Sequence, residues 1–533
     1  MILTADQLLN RIKCLESDRS IWKSHWQELA DYILPNKNDI ERTRNVGEKV
    51  NRNLLDNTAL HSNVMLAGFL HGILTNPNSQ FFELSTGIED IDSRDDVRIW
   101  LQKTASILLN LLNSSNFQTE VHELYIDMGC FGTSIMSIEE DEDTVVRFST
   151  RPIRNSFIDE DSRGRINQVY RTFEYNIWQV VQEFGEAVLA KSRVLAKAME
   201  KGDKRKFKIN HGVYPKEYNM KQSALPWVSQ YVLADEKIDL KISGFRSFPY
   251  VVPRWSKASG EKYGRSPGMD ALPEAKTLNI MVETVIKGAQ KVIDPPLQAP
   301  DDGFVGTTIR TRPGAINYYR AGSPATDRIT PIYNDARIDF GFQAVEEKRQ
   351  RIRDAFFIDQ LKLRQGTPQM TATEVEARVE EALRFMGPVL GRMQSELLRP
   401  LIDRVYEIAD RLGLIPPAPL ILKNMDLNVQ YSSPIAKTQR QNEARNILRT
   451  IEQARPFIAA DPSVLDFIDG DMALLKIANI NGFPQEILRD KAQVIRLREG
   501  RMQQQQQQAE SMQNAATADT IAKVTPALKA VSI

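Results

Sequence analysis

The chain has 533 residues, 69 Lys plus Arg against 69 Asp plus Glu, and only two cysteines, Cys14 and Cys130. Single cores stop growing near about 250–300 residues, so several structural units are expected. Balanced charge excludes a bulk polycation that coats nucleic acid non-specifically, and two thiols exclude a disulfide framework and fit a reducing cytosol with both cysteines free.

Thr4 and Gln7 have the spacing of a capping box. They predict one amphipathic helix through Leu8, Ile12, Leu15, Trp22, Trp26, Leu29 and Ile33, stopped before Pro35, which reads as mature structure rather than a signal peptide. The reading stays helical to about Leu112. A helix from Asn57 to Thr75 carries the small residues Ser62, Ala67, Gly68 and Gly72 among Leu60, Val64, Leu70 and Ile73, a pattern that favours close helix packing. Between Ser134 and Pro253 the pattern becomes alternating, as in "TVVRFST" and "INQVYRTFEY", interrupted by the helical "IWQVVQEFGEAVLAKSRVLAKAME", which predicts a mixed α+β region. Nowhere do apolar residues approach the run of about 18 that a membrane span requires.

A helix is expected from Met269 to Val292, ended by Pro295-Pro296, then a turn-rich insert with short strands, and a second helix from Asp335 to Phe357. Two helices of similar length therefore flank a small β-rich knob. The basic, Gly/Pro-containing loop "LKLRQGTPQ" follows, before a second capping box at Thr371 and Glu374. From Ala372 the apolar positions Val375, Val379, Leu383, Met386, Leu390, Met393, Leu397, Leu401 and Val405 form one stripe to Leu412. That is a helix of about 40 residues, roughly 60 Å long, with Gly387-Pro388 as the expected kink. After "PPAP" come helices at "SPIAKTQRQNEARNILRTIEQA", "DPSVLDFI", "GDMALLKIANI" and Pro484–Gly500. The tract Gln503–Gln508 lacks Gly and Pro and is read as helix supported by neighbours.

The search for catalytic motifs is negative: no phosphate loop, no G-x-S-x-G elbow, no H-E-x-x-H and no paired C-x-x-C. His61 and His71 share a helix but lie about 80° apart and three turns distant, so satisfied or surface histidines are expected. "DEDSRG" (Asp159–Gly164) begins like a calcium loop, but Arg163 and Tyr170 occupy ligand positions, and a polar turn is expected instead. The run Glu139–Asp143 reads as a solvated turn, since five adjacent carboxylates cannot converge on one metal. On the second of these two helices, Lys348, Arg349, Arg351 and Arg353 follow Glu346 and Glu347, and pairs such as Glu347 with Arg351 stabilise a helix face. Lys362 and Arg364, beside Gln365, have little helix to stabilise. Repeated around a closed ring of identical subunits, such bases would line a pore facing phosphate.

The chain resembles the portal, or head-to-tail connector, proteins of short-tailed tailed bacteriophages. The resemblance spans nearly the whole length. It rests on "DNTALHSNVMLAGFLHGILTNPNSQFFEL" (Asp56–Leu84), "MGCFGTSIMSIEED" (Met128–Asp141), the helix–knob–helix order from Tyr263 to Phe357, "MTATEVEARVEE" (Met370–Glu381), and "SSPIAKTQRQNEARNILRTI" followed by "DFIDGDMALLKIANINGFPQEILRD". It implies a mainly α fold with an α+β wing, assembled as a ring, generally of twelve subunits, at one capsid vertex. The implied parts are a wing (1–262 and 372–430), stem helices (263–293 and 335–356), a clip (294–334), a channel loop (357–371), a crown (431–500) and a C-terminal barrel helix (501–533). The segment from Lys201 to Pro226, with "KGDKRKFK", matches the pattern least.

The implied function is a passive channel for double-stranded DNA during packaging and ejection, with no enzyme activity, cofactor, metal or membrane. Implied partners are the terminase large subunit, a tail adaptor, and the major capsid and scaffolding proteins, whose assembly is expected in the host cytoplasm before the subunit enters the virion. Channel candidates are Lys362, Arg364, Gln365, Lys348, Arg349, Arg351 and Arg353; clip docking candidates are Arg310, Arg312, Tyr318 and Tyr319. The rival readings are a metal-dependent nuclease, which lacks convergent carboxylates, and a monomeric helical scaffold or adaptor of a virion.

Overall fold

The computed structural model describes residues 2–45, 47–50, 54–92, 94–216, 225–293, 297–298, 330–331, 338–358, 386–422, 428–431, 434–461, 467–480, 489 and 493–508. They fall into two compact units, Met1–Phe82 with Ser106–Ile415, and Glu83–Ala105 with Pro416–Ile533.

The first unit opens with the expected capping box: Thr4 Oγ1 accepts from Gln7 N at 3.3 Å and Gln7 Oε1 from Thr4 N at 2.9 Å. The single helix expected here is two, α1 (Ala5–Asp18) and α2 (Ser20–Tyr32), broken at Arg19. The cause is the Arg19 side chain, which is 1% exposed. Its guanidinium donates to the carbonyls of Ile153 and Ser156, both at 2.7 Å, and to that of Arg154, while lying 4.0 Å over the Phe157 ring. Burial without a carboxylate at contact distance lowers its pKa. A surface helix pattern cannot disclose that one polar residue turns inward.

Next come α3 (Thr58–Leu74), β1 (Phe82–Ser85), α4 (Glu89–Asp92), α5 (Asp95–Ser114) and α6 (Phe117–Phe131). Gly68 and Gly72 of α3 face open space, so they are not the expected packing contact; the close approach falls at Gly129 of α6, where an added Cβ would lie 2.2 Å from Asn63 Oδ1. β2 (Ile135–Asp141) pairs antiparallel with β3 (Val145–Arg151), and with β9 (Tyr250–Val251) on its other edge. β4 (Ser156–Glu160), β5 (Ile166–Asn176), β6 (Lys206–Pro215), β7 (Trp227–Leu233) and β8 (Ile238–Phe245) form a five-stranded antiparallel sheet in chain order.

Side-chain alternation gives that sheet two apolar faces. Leu8, Ile12 and Leu15 of α1 cover Phe157, Tyr170, Tyr214, Val228 and Val232. On the other side, the helical interruption between β5 and β6 is three short helices, α7 (Ile177–Phe184), α8 (Ala187–Lys191) and α9 (Arg193–Lys201), packed on Phe207, Ile209, Leu233 and Leu240. The breaks have local reasons: Gly185 takes φ +80°, and the Ser192 hydroxyl caps the Leu195 N–H at 3.1 Å. The Asp159–Gly164 segment is a polar turn closed by Asp161, which accepts from the Arg163 and Arg165 N–H groups.

In the second unit β1 pairs with β12 (Asn428–Tyr431), and the Trp100 indole donates to the Pro416 carbonyl at 2.8 Å. Helices run over Pro434–Ala460, Gly470–Ile480 and 493–508, the last including the exposed Gln503–Gln508. Lys476 pairs with Glu443 at 2.7 Å and Arg498 with Asp471 at 2.6 Å. No described helix is long and apolar enough to cross a membrane.

Candidate functional site

The two long helices lie side by side. α10 (Pro267–Ile293) packs along α11 (Ile338–Ala355), and Gly341 permits the approach: a Cβ there would be 2.8 Å from Val285 Cγ2. Beyond α10, β10 (Leu297–Gln298) pairs antiparallel with β11 (Thr330–Pro331), with Leu297 opposite Pro331. The chain therefore runs side by side with itself just beyond α10 and before α11. Arg310, Arg312, Tyr318 and Tyr319 lie outside the described residues, as do Lys362, Arg364 and Gln365.

The four bases expected on α11 each meet an acid of the same chain. Lys348 pairs with Glu274 of α10 at 2.7 Å, and Arg351 with Glu347 at 2.7 Å and Glu274 at 3.6 Å. Arg353 pairs with Glu346 at 3.0 Å. Arg349 donates Nε and Nη2 to Asp56 Oδ2 at 2.9 and 2.8 Å, while Asp56 Oδ1 accepts from the Thr58 N–H that opens α3. Burial pushes the Asp56 carboxyl up, but the Thr58 hydrogen bonds and Arg349 outweigh it and hold the pKa below the usual carboxylate range. Asp56 thus ties α3 to α11. The Glu347–Arg351 pair was legible from spacing; the Asp56–Arg349 and Glu274–Lys348 pairs join residues too distant in sequence to be read.

Four apolar side chains of the α10–α11 pair are exposed in the single chain: Ile280 is 63% exposed, Ile286 44%, Ile293 83% and Phe342 58%, and the exposed Glu283–Lys287 pair lies between Ile280 and Ile286 around the axis of α10.

The α10–α11 pair is rooted where two glycine-containing segments cross. Gly132 ends α6 with φ +78°, and its carbonyl accepts from Trp255 N at 2.9 Å. A Cβ on Gly132 would fall 2.3 Å from the Gly264 carbonyl oxygen, and a Cβ on Gly264 would fall 2.3 Å from that of Gly132. Gly264 N donates to Thr133 Oγ1 at 2.7 Å. Ser266 donates to the Cys130 carbonyl at 2.7 Å and accepts from Met269 N at 3.0 Å, so it caps α10 while fastening it to α6. "MGCFGT" and "YGRSPG" are the two halves of this joint.

The long helix after the loop is described from Gly387, with Pro388 in its first turn; the expected kink cannot be compared with the segment before Met386, which lies outside the described residues. A break in register does occur, at a π turn over Gln394–Leu398 that joins Gly387–Met393 to Arg399–Arg411. The signal missed in the sequence is Pro400, which lacks the N–H of a regular helix.

A cavity of about 300 Å³ beside α6 is lined by Lys37, Asp39, Glu120, Glu123, Asp127 and Arg154 among others. Its charges are paired: Lys37 with Asp127 at 2.5 Å and Glu123 at 3.1 Å, and Arg154 with Asp39. Burial pushes the Asp127 carboxyl up to about 6 against the pull of Lys37. Among the described residues no three His, Cys, Asp or Glu are grouped to hold a metal. His61 is exposed, and His71 contacts Gln118 Oε1 at 2.8 Å and the edge of His122. Both cysteines are free.

The family model "Bacteriophage head to tail connecting protein" matches residues 5–488. The chain is 32% identical over 531 residues to the "Probable portal protein" of Bordetella phage BPP-1, covering 97% of this chain and 94% of that protein. It is 29% identical over 520 residues to the portal protein of Salmonella phage epsilon15, with 94% and 92% covered. The portal protein of Enterobacteria phage T3 matches at 22% identity over 423 residues, with 76% and 74% covered.

Proposed function

We infer the working of this chain from the fact that it belongs to the bacteriophage head-to-tail connecting protein family: it is a portal protein of the capsid vertex. The subunits close into a ring of about twelve copies around a channel for double-stranded DNA. The observation that carries this reading is the long α10–α11 pair, whose side chains Ile280, Ile286, Ile293 and Phe342 are exposed in the single chain. Apolar surface of that kind is unfavourable in water and is covered when each stem meets the next around the ring.

Within the ring, residues 1–262 and 372–430 serve as wing, α10 and α11 as stem, 294–334 as clip, 431–500 as crown and 501–533 as barrel. The clip, with Arg310, Arg312, Tyr318 and Tyr319, docks the terminase large subunit during packaging and the tail adaptor afterwards. Aromatic and arginine side chains are the types that anchor such interfaces. The wing contacts the major capsid and scaffolding proteins during assembly in the host cytoplasm. DNA passes without covalent chemistry, and the carboxylates against Lys348, Arg349, Arg351 and Arg353 temper the pull of that part of the stem on phosphate. Lys362 and Arg364, with Gln365, supply a weak, salt-screened contact in the channel.

The test is a deletion of residues 360–369 in the phage, with ring assembly, DNA packaging and genome retention measured separately. The reading expects rings to form and packaging or retention to fall. Normal packaging and retention refute the channel-loop role, and absence of rings makes the segment structural.

A further inference from the structure

Two independent features meet at Glu396. The first is the π turn: the Arg399 N–H bonds back to the Gln394 carbonyl, five residues earlier instead of four. Pro400 follows, with no N–H to give to the Glu396 carbonyl and a ring that crowds it, so a regular α turn is disfavoured here and one extra residue is accommodated. The second is Arg254, whose side chain is 2% exposed. Its backbone N–H and Nε reach Glu396 Oε2 at 3.0 and 3.2 Å, and its Nη2 reaches Oε1 at 2.8 Å. The remaining donors hold Glu160 Oε2 at 3.1 Å and the carbonyls of Lys262 and Gly164 at 3.2 and 3.0 Å. Each charged group in the cluster has a partner of opposite sign, three cations sharing two carboxylates, with Lys257 on Glu160 at 2.6 Å and Arg392 on Glu396 at 3.3 Å.

Downstream of the turn, Arg399–Arg411 is fixed. Leu401, Ile402, Val405 and Ile408 are buried, and Arg404 bonds Glu407 at 2.5 Å and Ser247 at 3.0 Å. Upstream, Leu390 and Met393 are buried as well, so a change of register taken up there repacks both side chains. Converting the π turn to α winding rotates Gly387–Met393 by about 100° and shifts it by about 1.5 Å along the axis. Glu396, inside the turn, swings away from Arg254 in the same motion.

We propose that Arg254 and Glu396 form a register latch, in which the buried guanidinium holds the helix in its π setting and fixes the rotational position of Gly387–Met393 relative to the Asp159–Gly164 turn. Pro400 weakens the α setting and the ion pair selects the π setting, so the helix has two defined positions and one charged contact that chooses between them. Bistable elements of this kind convert a local change into a rotation of a whole segment. Any effect on DNA retention rests on the portal reading; the register itself does not, and is read from structure alone.

The experiment uses full-length assembled protein solved by electron cryomicroscopy in two forms, Pro400→Ala and Pro400→Ala/Glu396→Gln. The expected result is that the single variant keeps the π turn and the double variant winds as α, with Gly387–Met393 rotated by about 100°. A π turn kept in the double variant, or lost in Pro400→Ala alone, overturns the proposal. Glu396→Gln alone, isosteric and least disruptive to folding, is read by hydrogen exchange. The Arg399 N–H should exchange about tenfold faster, because a neutral acceptor bonds guanidinium roughly half as strongly as a carboxylate. An unchanged rate overturns the latch as well.

Discussion

Replacing Gly132 by alanine should loosen the joint from which the stem rises, and three glycines allow the causes to be separated. At Gly132 the φ of +78° and the Cβ contact of 2.3 Å act together. A left-handed backbone costs an L-residue about 1–2 kcal/mol, and forcing a methyl into a packed site costs about 1–3 kcal/mol, so the sum is about 2–5 kcal/mol. Gly264 carries only the contact, 2.3 Å from the Gly132 carbonyl oxygen, and Gly264→Ala should cost about 1–3 kcal/mol. Gly260 carries only the backbone, at φ +83° with nothing within 4 Å, and its alanine variant should cost about 1–2 kcal/mol. The assay is native-state hydrogen exchange at the Trp255 and Gly264 amides, whose bonds to Gly132 O and Thr133 Oγ1 span the joint. Local opening energies are the suitable quantity, since a chain of two units need not unfold in one step. Equal exchange in Gly264→Ala and the parent, or a Gly260→Ala effect at these two amides as large as that of Gly132→Ala, would refute the reasoning.

A double-mutant cycle between Asp56→Asn and Arg349→Met should give a coupling of about 0.5–2 kcal/mol, limited by the partial exposure of Arg349; additive losses would show that the pair does not join α3 to the stem. Because the folded Asp56 pKa is depressed, its contribution is present above the unfolded carboxylate pKa and lost as pH falls through the folded value. That acid-side loss should be absent in Asp56→Asn, as urea titrations below pH 5 would record. Asp127 has the opposite sign: with its folded pKa raised to about 6, the chain should lose stability as pH rises from about 4 through 6, and Asp127→Asn should flatten that slope. A slope unchanged by the substitution would mean that Asp127 is not the titrating group. Ile280→Asp with Ile286→Asp, on exposed positions, should leave the circular dichroism spectrum of the isolated chain intact while abolishing higher assembly in sedimentation velocity; normal assembly would remove these two side chains from the subunit contact.

What the sequence disclosed was local or periodic. Capping at Thr4 and Gln7, the two stem helices and the alternation of the central strands each declare themselves within a few residues, and the order of motifs carried the family. What it concealed depends on side chains that reach across the fold. Arg19 breaks an otherwise unbroken helical pattern because its charge finds three carbonyls more than 130 positions away. Arg254 and Glu396 are separated by 142 positions. Asp56 accepts from the nearby Thr58 N–H with one oxygen, yet its second oxygen serves Arg349, 293 positions on. Pro400 was readable as a missing donor, but whether a helix answers with a kink or a π turn is decided by what receives the displaced side chain. The glycines of α3 were expected at a close contact and are open, whereas Gly132 and Gly264 each have their Cβ space filled by the other's carbonyl.

The central claim is that this chain works as a closed ring. Native mass spectrometry of the purified full-length protein, across protein concentration and salt and paired with negative-stain images of the same sample, tests it most directly. The account predicts a single closed oligomer of about twelve subunits with an axial channel. Monomers or dimers alone under every condition would contradict it.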